Sequence, residues 1–300
     1  MIRNPERGRC VLCGTSQGEV VLEEAGWSGR ACSCGVVYID PRPDEHAIDP
    51  THDMHVDDYY ERPARDRMDW IERSRGPCRL LEVGGGTGHL LQRARERGYQ
   101  VQAIEPNPEC ARALEALGIP VERRIVEESQ LPDGSADVVF HVDLLSHFPD
   151  PVRALRSMKR IAGPDGLLCF EVGVFGGLAR GWYPWIGRPG FPEHRWFYSE
   201  TAIGNVMARA GLEIVERKRY GLFPSTILSS VGRRVFGRTM SSAVAAVPVA
   251  AGSGAPIASS GFGRHYGHLQ YLLRYRWGAR IPAWGPHALF VTARARAIDP

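Results

Sequence analysis

Lysine is nearly missing from this 300-residue chain: Lys159 and Lys218 are the two present, so arginine carries almost all of the positive charge. The bias fits the codon composition of a GC-rich genome, and it keeps arginine's recognition of carboxylates and phosphates available. A strong charge of either sign is also missing. The formal net charge is +3, from 37 basic and 34 acidic residues. That is too little to argue for nucleic acid as a partner. No apolar run reaches the roughly 18 residues that a membrane-spanning helix needs. Residues 1–9 are polar and contain no apolar signal region. A cytoplasmic protein is therefore expected. Its length suits one full domain plus a small appendage, and its 43% hydrophobic content is ordinary for a globular chain.

The most informative stretch that is present is Leu-Leu-Glu-Val-Gly-Gly-Gly-Thr-Gly at 80–88. An apolar run at 78–83 enters it and an amphipathic run at 89–97 leaves it, which reads as strand, tight turn and helix. Glycines at 84, 86 and 88 let the backbone approach a ligand and take positive φ without a Cβ clash. The spacing excludes a G-x-G-x-x-G dinucleotide loop, since the last glycine slot falls on His89 or Leu91. The missing lysine excludes a P-loop. Glu82 at the strand end would repel phosphate, so a cationic cofactor is expected. A second strand, 101–104, ends in Glu105-Pro106-Asn107. Glu105 lies about 20 residues past the loop, where an acid meets a ribose in nucleotide-binding α/β folds. Its two oxygens can accept both hydroxyls of a cis-diol.

Glu82, Gly84, Gly86 and Gly88 form an E-x-G-x-G-x-G pattern that resembles the first motif of class I S-adenosylmethionine (SAM) methyltransferases. The landmarks that follow keep the family's order. A third strand at 121–126 precedes Glu127-Glu128-Ser129-Gln130-Leu131-Pro132. A fourth at 136–140 opens a D-V-V…H-x-x-D-P run carried by Asp137, Val138, Val139, His147, Asp150 and Pro151. A helix at 152–161, a turn at 163–166 and strands at 167–172, 212–219 and 287–293 complete the set. The resemblance covers roughly 55–220 and 287–295. It implies a Rossmann-like, seven-stranded α/β sheet with SAM as cofactor. It also implies SAM contacts from Glu82, Gly84, Gly86, Gly88, Glu105, Pro106, Glu127, Glu128 and Asp143, with Glu127 facing the adenine amino group. A helix at 59–73 would lie over the cofactor and bring Tyr60 to it.

Seven cysteines are present, and four cluster as Cys10-x-x-Cys13 and Cys32-x-Cys34, each pair followed by a glycine. Paired thiolates at this spacing read as a tetrahedral structural Zn²⁺ site, with disulfides disfavoured in a reducing cytoplasm. An iron–sulfur cluster is the alternative that four thiolates also suit. The tail at 35–43 resembles that of methyltransferases with an N-terminal zinc ribbon. Residues 1–43 are thus expected to form the ribbon and 44–76 a linker and helix. The methyltransferase domain would take 77–300, with a mostly helical acceptor cap inserted at 222–286.

Three groups stand where chemistry belongs, past the carboxyl ends of the strands. Asp143 and His147 follow the fourth strand. An aromatic, glycine-rich segment at 174–199 carries His194, Tyr198 and Ser199, with His194 as the expected general base and His147 and Tyr198 as further catalytic candidates. Ser199 caps the next helix, and Trp182, Tyr183 and Trp185 are candidates for an acceptor wall. The insertion holds Arg233, Arg234 and Arg238 beside Val235 and Phe236, which suits an anionic acceptor, a lipid-like one, or contact with a membrane surface. The leading expectation is methyl transfer to oxygen or carbon of a natural-product, sugar or lipid intermediate. An RNA methyltransferase and a non-catalytic SAM-binding protein are the alternatives.

Overall fold

The computed structural model describes residues 6–43, 61–186, 189–221, 271–277 and 285–297. Tyr60, the linker and most of the 222–286 insertion, Arg233, Arg234 and Arg238 included, lie outside these residues.

Apolar residues in period-two runs build strands, and the apolar stripes between them build covering helices. The N-terminal strands are β1 (Glu19–Glu24), β2 (Trp27–Ala31) and β3 (Val36–Asp40). Helix α1 (Glu61–Ser74) leads into β4 (Arg79–Val83), α2 (His89–Glu96), β5 (Gln100–Ile104), α3 (Pro108–Ala116) and β6 (Val121–Glu122). Then come β7 (Val138–Val142), α4 (Pro151–Ala162), β8 (Leu167–Val174), β9 (Trp196–Tyr198), α5 (Glu200–Arg209), β10 (Leu212–Tyr220) and β11 (His287–Ala295). Asn107, Asp150 and Ser199 cap α3, α4 and α5, each accepting backbone N–H groups of the first turn.

All strands join one eleven-stranded sheet. Seven of them run β6-β5-β4-β7-β8-β11-β10, parallel from β6 to β8, with β11 antiparallel to both β8 and β10. These are the seven strands expected of a Rossmann-like methyltransferase. The other four are an addition. β7 pairs with β8 as far as Glu171, and β9 meets β8 at Val174, beyond that end. β9 then pairs with β3, and β3 with β2. The cysteine-bearing segment is therefore continuous with the main sheet through β9, a strand where the sequence suggested only loop.

Two other elements differ from expectation. The third strand stops at Glu122, because that side chain turns to accept Ser129 Oγ at 2.5 Å and Gln130 N at 2.7 Å. Val126 and Glu127 consequently sit in a 3₁₀ turn. The fourth strand starts two residues late, since Asp137 stays at its foot in an ion pair with Arg79 at 2.7 Å. The described end of the insertion is a π-helical turn, Leu272–Trp277. No helix among the described residues is long and apolar enough to cross a membrane.

The two faces of the sheet carry separate cores. One holds Val139, Phe170, Met158 and Val206 under α4 and α5, and the other holds Phe140, Phe290, Trp70 and Ile71 under α1. His141 lies in the first, fully buried and stacked on Phe170 at 4.8 Å, and neither ring nitrogen has a hydrogen-bond partner. Burial lowers its pKa to about 3. A histidine with a depressed folded pKa contributes full stability above its unfolded value near 6.5 and loses it as the pH falls toward 3, by about 1.4 kcal/mol per unit. We expect parent stability, from urea unfolding, to fall by about 2 kcal/mol more than that of His141→Phe between pH 7 and pH 5. Equal pH slopes for the two proteins would refute this.

Candidate active site

The glycine turn takes the conformation its sequence requires. Gly84, Gly86 and Gly88 have φ of +72°, +52° and +82°. A Cβ on Gly84 would lie 2.7 Å from Leu144 and one on Gly88 2.9 Å from Leu114, whereas one on Gly86 would meet nothing within 4 Å among the described residues. Gly84 and Gly88 thus pack the turn against protein, and Gly86 faces no described neighbour. Glu105 ties this turn to β5. Its Oε2 accepts from Gly86 N at 3.0 Å and its Oε1 from Asn107 N at 2.9 Å. Pro106, between them, is half-buried.

Negative charge is concentrated here. Glu82 and Glu105 are each 6% exposed and Glu171 is 1% exposed, with Arg67 as the buried cation among them. Arg67 Nε donates to Glu171 Oε2 at 2.8 Å, and Tyr275 Oη donates to Glu171 Oε1 at 3.0 Å. Burial opposes the Arg67 charge, but Glu171 outweighs it and holds the guanidinium above its ordinary pKa. Glu82 has no such contact among the described residues, and its buried Oε2 has no hydrogen-bond partner there. Burial raises its pKa to about 8, with Arg67 opposing and Glu105 adding. A cation bound over the turn would relieve this crowding.

Asp143 ends β7 in a left-handed conformation, φ +55°, unusual for a residue with a Cβ. Its N–H donates to Glu171 O at 2.7 Å and its Oδ1 accepts from Gly173 N at 3.3 Å. The next turn, Leu144–Ser146, carries the chain to His147. There Arg195 and β9 dock on it through three bonds. Arg195 N donates to Ser146 O at 2.8 Å, Trp196 Nε1 to Phe148 O at 2.8 Å, and Tyr198 Oη to Leu145 O at 3.2 Å. The docking brings the His194 and His147 rings to 4.4 Å. His194 Nδ1 lies 2.7 Å from Pro189 O, a geometry in which Nδ1 carries the hydrogen and Nε2 remains an acceptor.

The structure brings the His147 and His194 rings together, with Asp143 at the other end of the Leu144–Ser146 turn, but it removes Tyr198 from the catalytic candidates. Tyr198 is fully buried, its hydroxyl is used on Leu145, and burial raises its pKa well above the ordinary value. It is a framework residue. Glu127 is half-buried with its pKa raised by burial, and Glu128 is exposed. Trp182 and Trp185, with Ala179 and Gly181, line a shallow apolar hollow, while Tyr183 is buried. Arg67 and Glu171 were missed from sequence. The signal was there: a glutamate inside the apolar run Leu167–Val174 demands a buried cation.

The four cysteine sulfurs lie within 4.8 Å of one another. Gly14 and Gly35, both at positive φ, follow Cys13 and Cys34 and donate their N–H groups back to Cys10 O at 2.8 Å and Cys32 O at 3.0 Å. Each pair thus closes a knuckle turn around its thiols. The donor set and its compactness fit a tetrahedral thiolate-bound metal.

A family model described as a methyltransferase domain matches residues 52–217. An uncharacterized methyltransferase of Mycobacterium bovis is 36% identical over 104 residues, which is 34% of this chain and 42% of that protein. The ubiquinone biosynthesis O-methyltransferase of Pseudomonas aeruginosa is 26% identical over 164 residues, 49% of this chain and 71% of that one. The chain thus spans less than half the length of the mycobacterial relative. Among solved structures, a Burkholderia thailandensis 1,6-didemethyltoxoflavin-N1-methyltransferase, bound to its substrate and S-adenosylhomocysteine, superposes with a TM-score of 0.53 at 16% identity, covering 93% of this chain and 100% of that one. That likeness shows the fold. With the family match extending over more than half of its length, the chain belongs to the methyltransferase-domain family.

Proposed function

We propose that the protein transfers a methyl group from SAM to an oxygen or carbon of a small-molecule acceptor. The observation that carries this reading is a pair of buried carboxyl groups, Glu82 and Glu105, at a glycine turn whose Gly86 has open space beside it among the described residues. A phosphate would meet like charge there. A ligand with a cationic centre and a vicinal diol finds a partner for each. SAM has both, and when bound it supplies an electrophilic methyl group for in-line attack. Glu105 keeps lone pairs for ribose hydroxyls beyond those it gives to Gly86 and Asn107. Glu82 receives the cationic end. Glu127 takes the adenine amino group and Asp143 borders methyl and acceptor.

On the acceptor side, His194 takes the proton of a hydroxyl or acidic carbon on Nε2, and His147 shares its pocket. The P. aeruginosa relative, named for O-methylation in ubiquinone biosynthesis, supports an oxygen acceptor of small size. The four thiols hold a structural Zn²⁺. A reducing cytoplasm, which keeps four thiols available to a metal, is the compartment we assign.

Three outcomes test this reading. Calorimetry should show SAM binding to the parent, weakened about 10- to 100-fold in Glu105→Ala by the loss of charge-assisted hydrogen bonds. A parent that does not bind, or a variant that matches it, ends the proposal. Glu82 is mostly protonated at pH 7, because its pKa is raised to about 8. Binding a cation beside it should release about one proton per SAM, so affinity rises with pH until about 8. Titrations in two buffers of different ionisation heat read this release, which Glu82→Gln should abolish; equal release in both proteins would refute the role. Finally, His194→Ala should keep SAM affinity and lose about 100-fold or more in turnover, read as S-adenosylhomocysteine formed with phenolic, sugar and lipid-like acceptors. Unchanged turnover removes His194 from the chemistry.

A further inference from the structure

We infer that the four-cysteine centre is a positioning element for the acceptor side of the active site, acting through β3 and β9 on the His194–His147 pair. The inference rests on the methyltransferase reading and extends it to the metal's role. A ribbon joined by a tether would stabilise only itself. Here the second knuckle runs directly into the sheet. Cys32 N donates to Val36 O at 2.8 Å, and Gly35 N donates to Cys32 O at 3.0 Å, so the knuckle sets the start of β3. Val36, Val37 and Tyr38 of β3 then pair with Tyr198, Phe197 and Trp196 of β9. Ile39 N donates to Arg195 O at 3.1 Å, which carries the pairing to the residue after His194.

The contact is close as well as continuous. Gly35 O accepts from Ser199 N at 2.8 Å, and a Cβ on Gly35 would fall 2.2 Å from Ser199 Oγ. A Cβ on Gly176, just past β8, would fall 2.3 Å from Gly35 O and 2.6 Å from Phe197 O. Three backbones meet here with no room for a side chain. β9 itself is only three residues long and touches β8 at a single pair, Val174 with Tyr198. Its strand pairing is therefore mostly with β3, three pairs against one, while its side chains and Arg195 N dock on 145–148. The described contacts of the glycine turn, by contrast, run to Ile104, Glu105, Leu114 and Leu144, none of them in the ribbon. Metal loss should loosen the histidine side and leave the SAM side intact.

The test compares the zinc-loaded chain, its chelated form, and Gly35→Ala, which keeps all four cysteines. Elemental analysis should give one zinc per chain in the parent and in Gly35→Ala, and none after chelation. Amide hydrogen exchange over 195–199 should speed up about tenfold or more in both altered proteins. SAM affinity should stay within about twofold, as for independent sites. Turnover on a responsive acceptor should fall about 100-fold, the scale of a small misplacement of catalytic groups. Unchanged exchange over 195–199 in zinc-free protein would overturn the inference. Chelation that abolishes SAM binding and protection everywhere would overturn it too, because the metal would then support the whole fold. A parent that binds no metal overturns it outright. Exchange and metal content are read without methyl transfer. Failure of this inference therefore stays separable from failure of the methyltransferase reading, which SAM titration decides.

Discussion

A cluster of buried carboxyl groups at the carboxyl ends of β4, β5 and β8 is the constraint around which the site is arranged. Glu82, Glu105 and Glu171 are removed from water with Arg67 as their buried cation. Each solves the problem differently. Glu105 spreads its charge over two backbone N–H groups. Glu171 takes the guanidinium and the Tyr275 hydroxyl. Glu82 has neither, and its raised pKa records the deficit. A fold does not keep an unrelieved acid in its interior without cost. A cationic ligand removes that cost when it binds, so the same feature supports affinity and selects against phosphate-bearing cofactors.

Glu171 also links parts of the chain that are far apart in sequence. Its backbone carbonyl accepts from Asp143 N, and its carboxylate holds Arg67 of α1 and Tyr275 of the 271–277 turn. Asp66, one residue before Arg67, accepts from Tyr271 Oη at 2.6 Å. The described end of the insertion is thus fastened to α1 and β8 by two tyrosines. Breaking one partner of such a buried set leaves an uncompensated charge, which is more destabilising than replacing the whole set.

Much of this was legible in the sequence where a residue type has one physical use. Glycines alternating at 84, 86 and 88 require positive φ, and all three have it. Ser199 precedes an amphipathic run and caps its helix. The Rossmann-like sheet followed from the family resemblance and is present. Pairing between distant segments was not legible. The run Trp196-Phe197-Tyr198 is short and flanked by loop residues, so no periodicity marks it as a strand, and only β3 makes it one. For the same reason Tyr198 read as a site residue. Its place in a motif-like loop was visible, while its burial against Leu145 depends on the docking of that loop.

The division between the two sides of the site follows from where each is built. The groups we propose for SAM sit on β4, β5 and their turns, inside the stretch that matches the family model. On the acceptor side, His194 also falls within 52–217, as do the carbonyls its segment docks on, but β3, which pairs with β9 behind it, lies before that stretch. Parallel strands with a glycine turn can bind one cofactor in many proteins, because backbone geometry and two carboxylates do the work. A histidine placed by three hydrogen bonds and one short strand can be moved by changing what lies behind that strand. Differences in acceptor among related chains are therefore expected to track the N-terminal strands and the segment before β11, while the glycine turn and Glu105 stay the same.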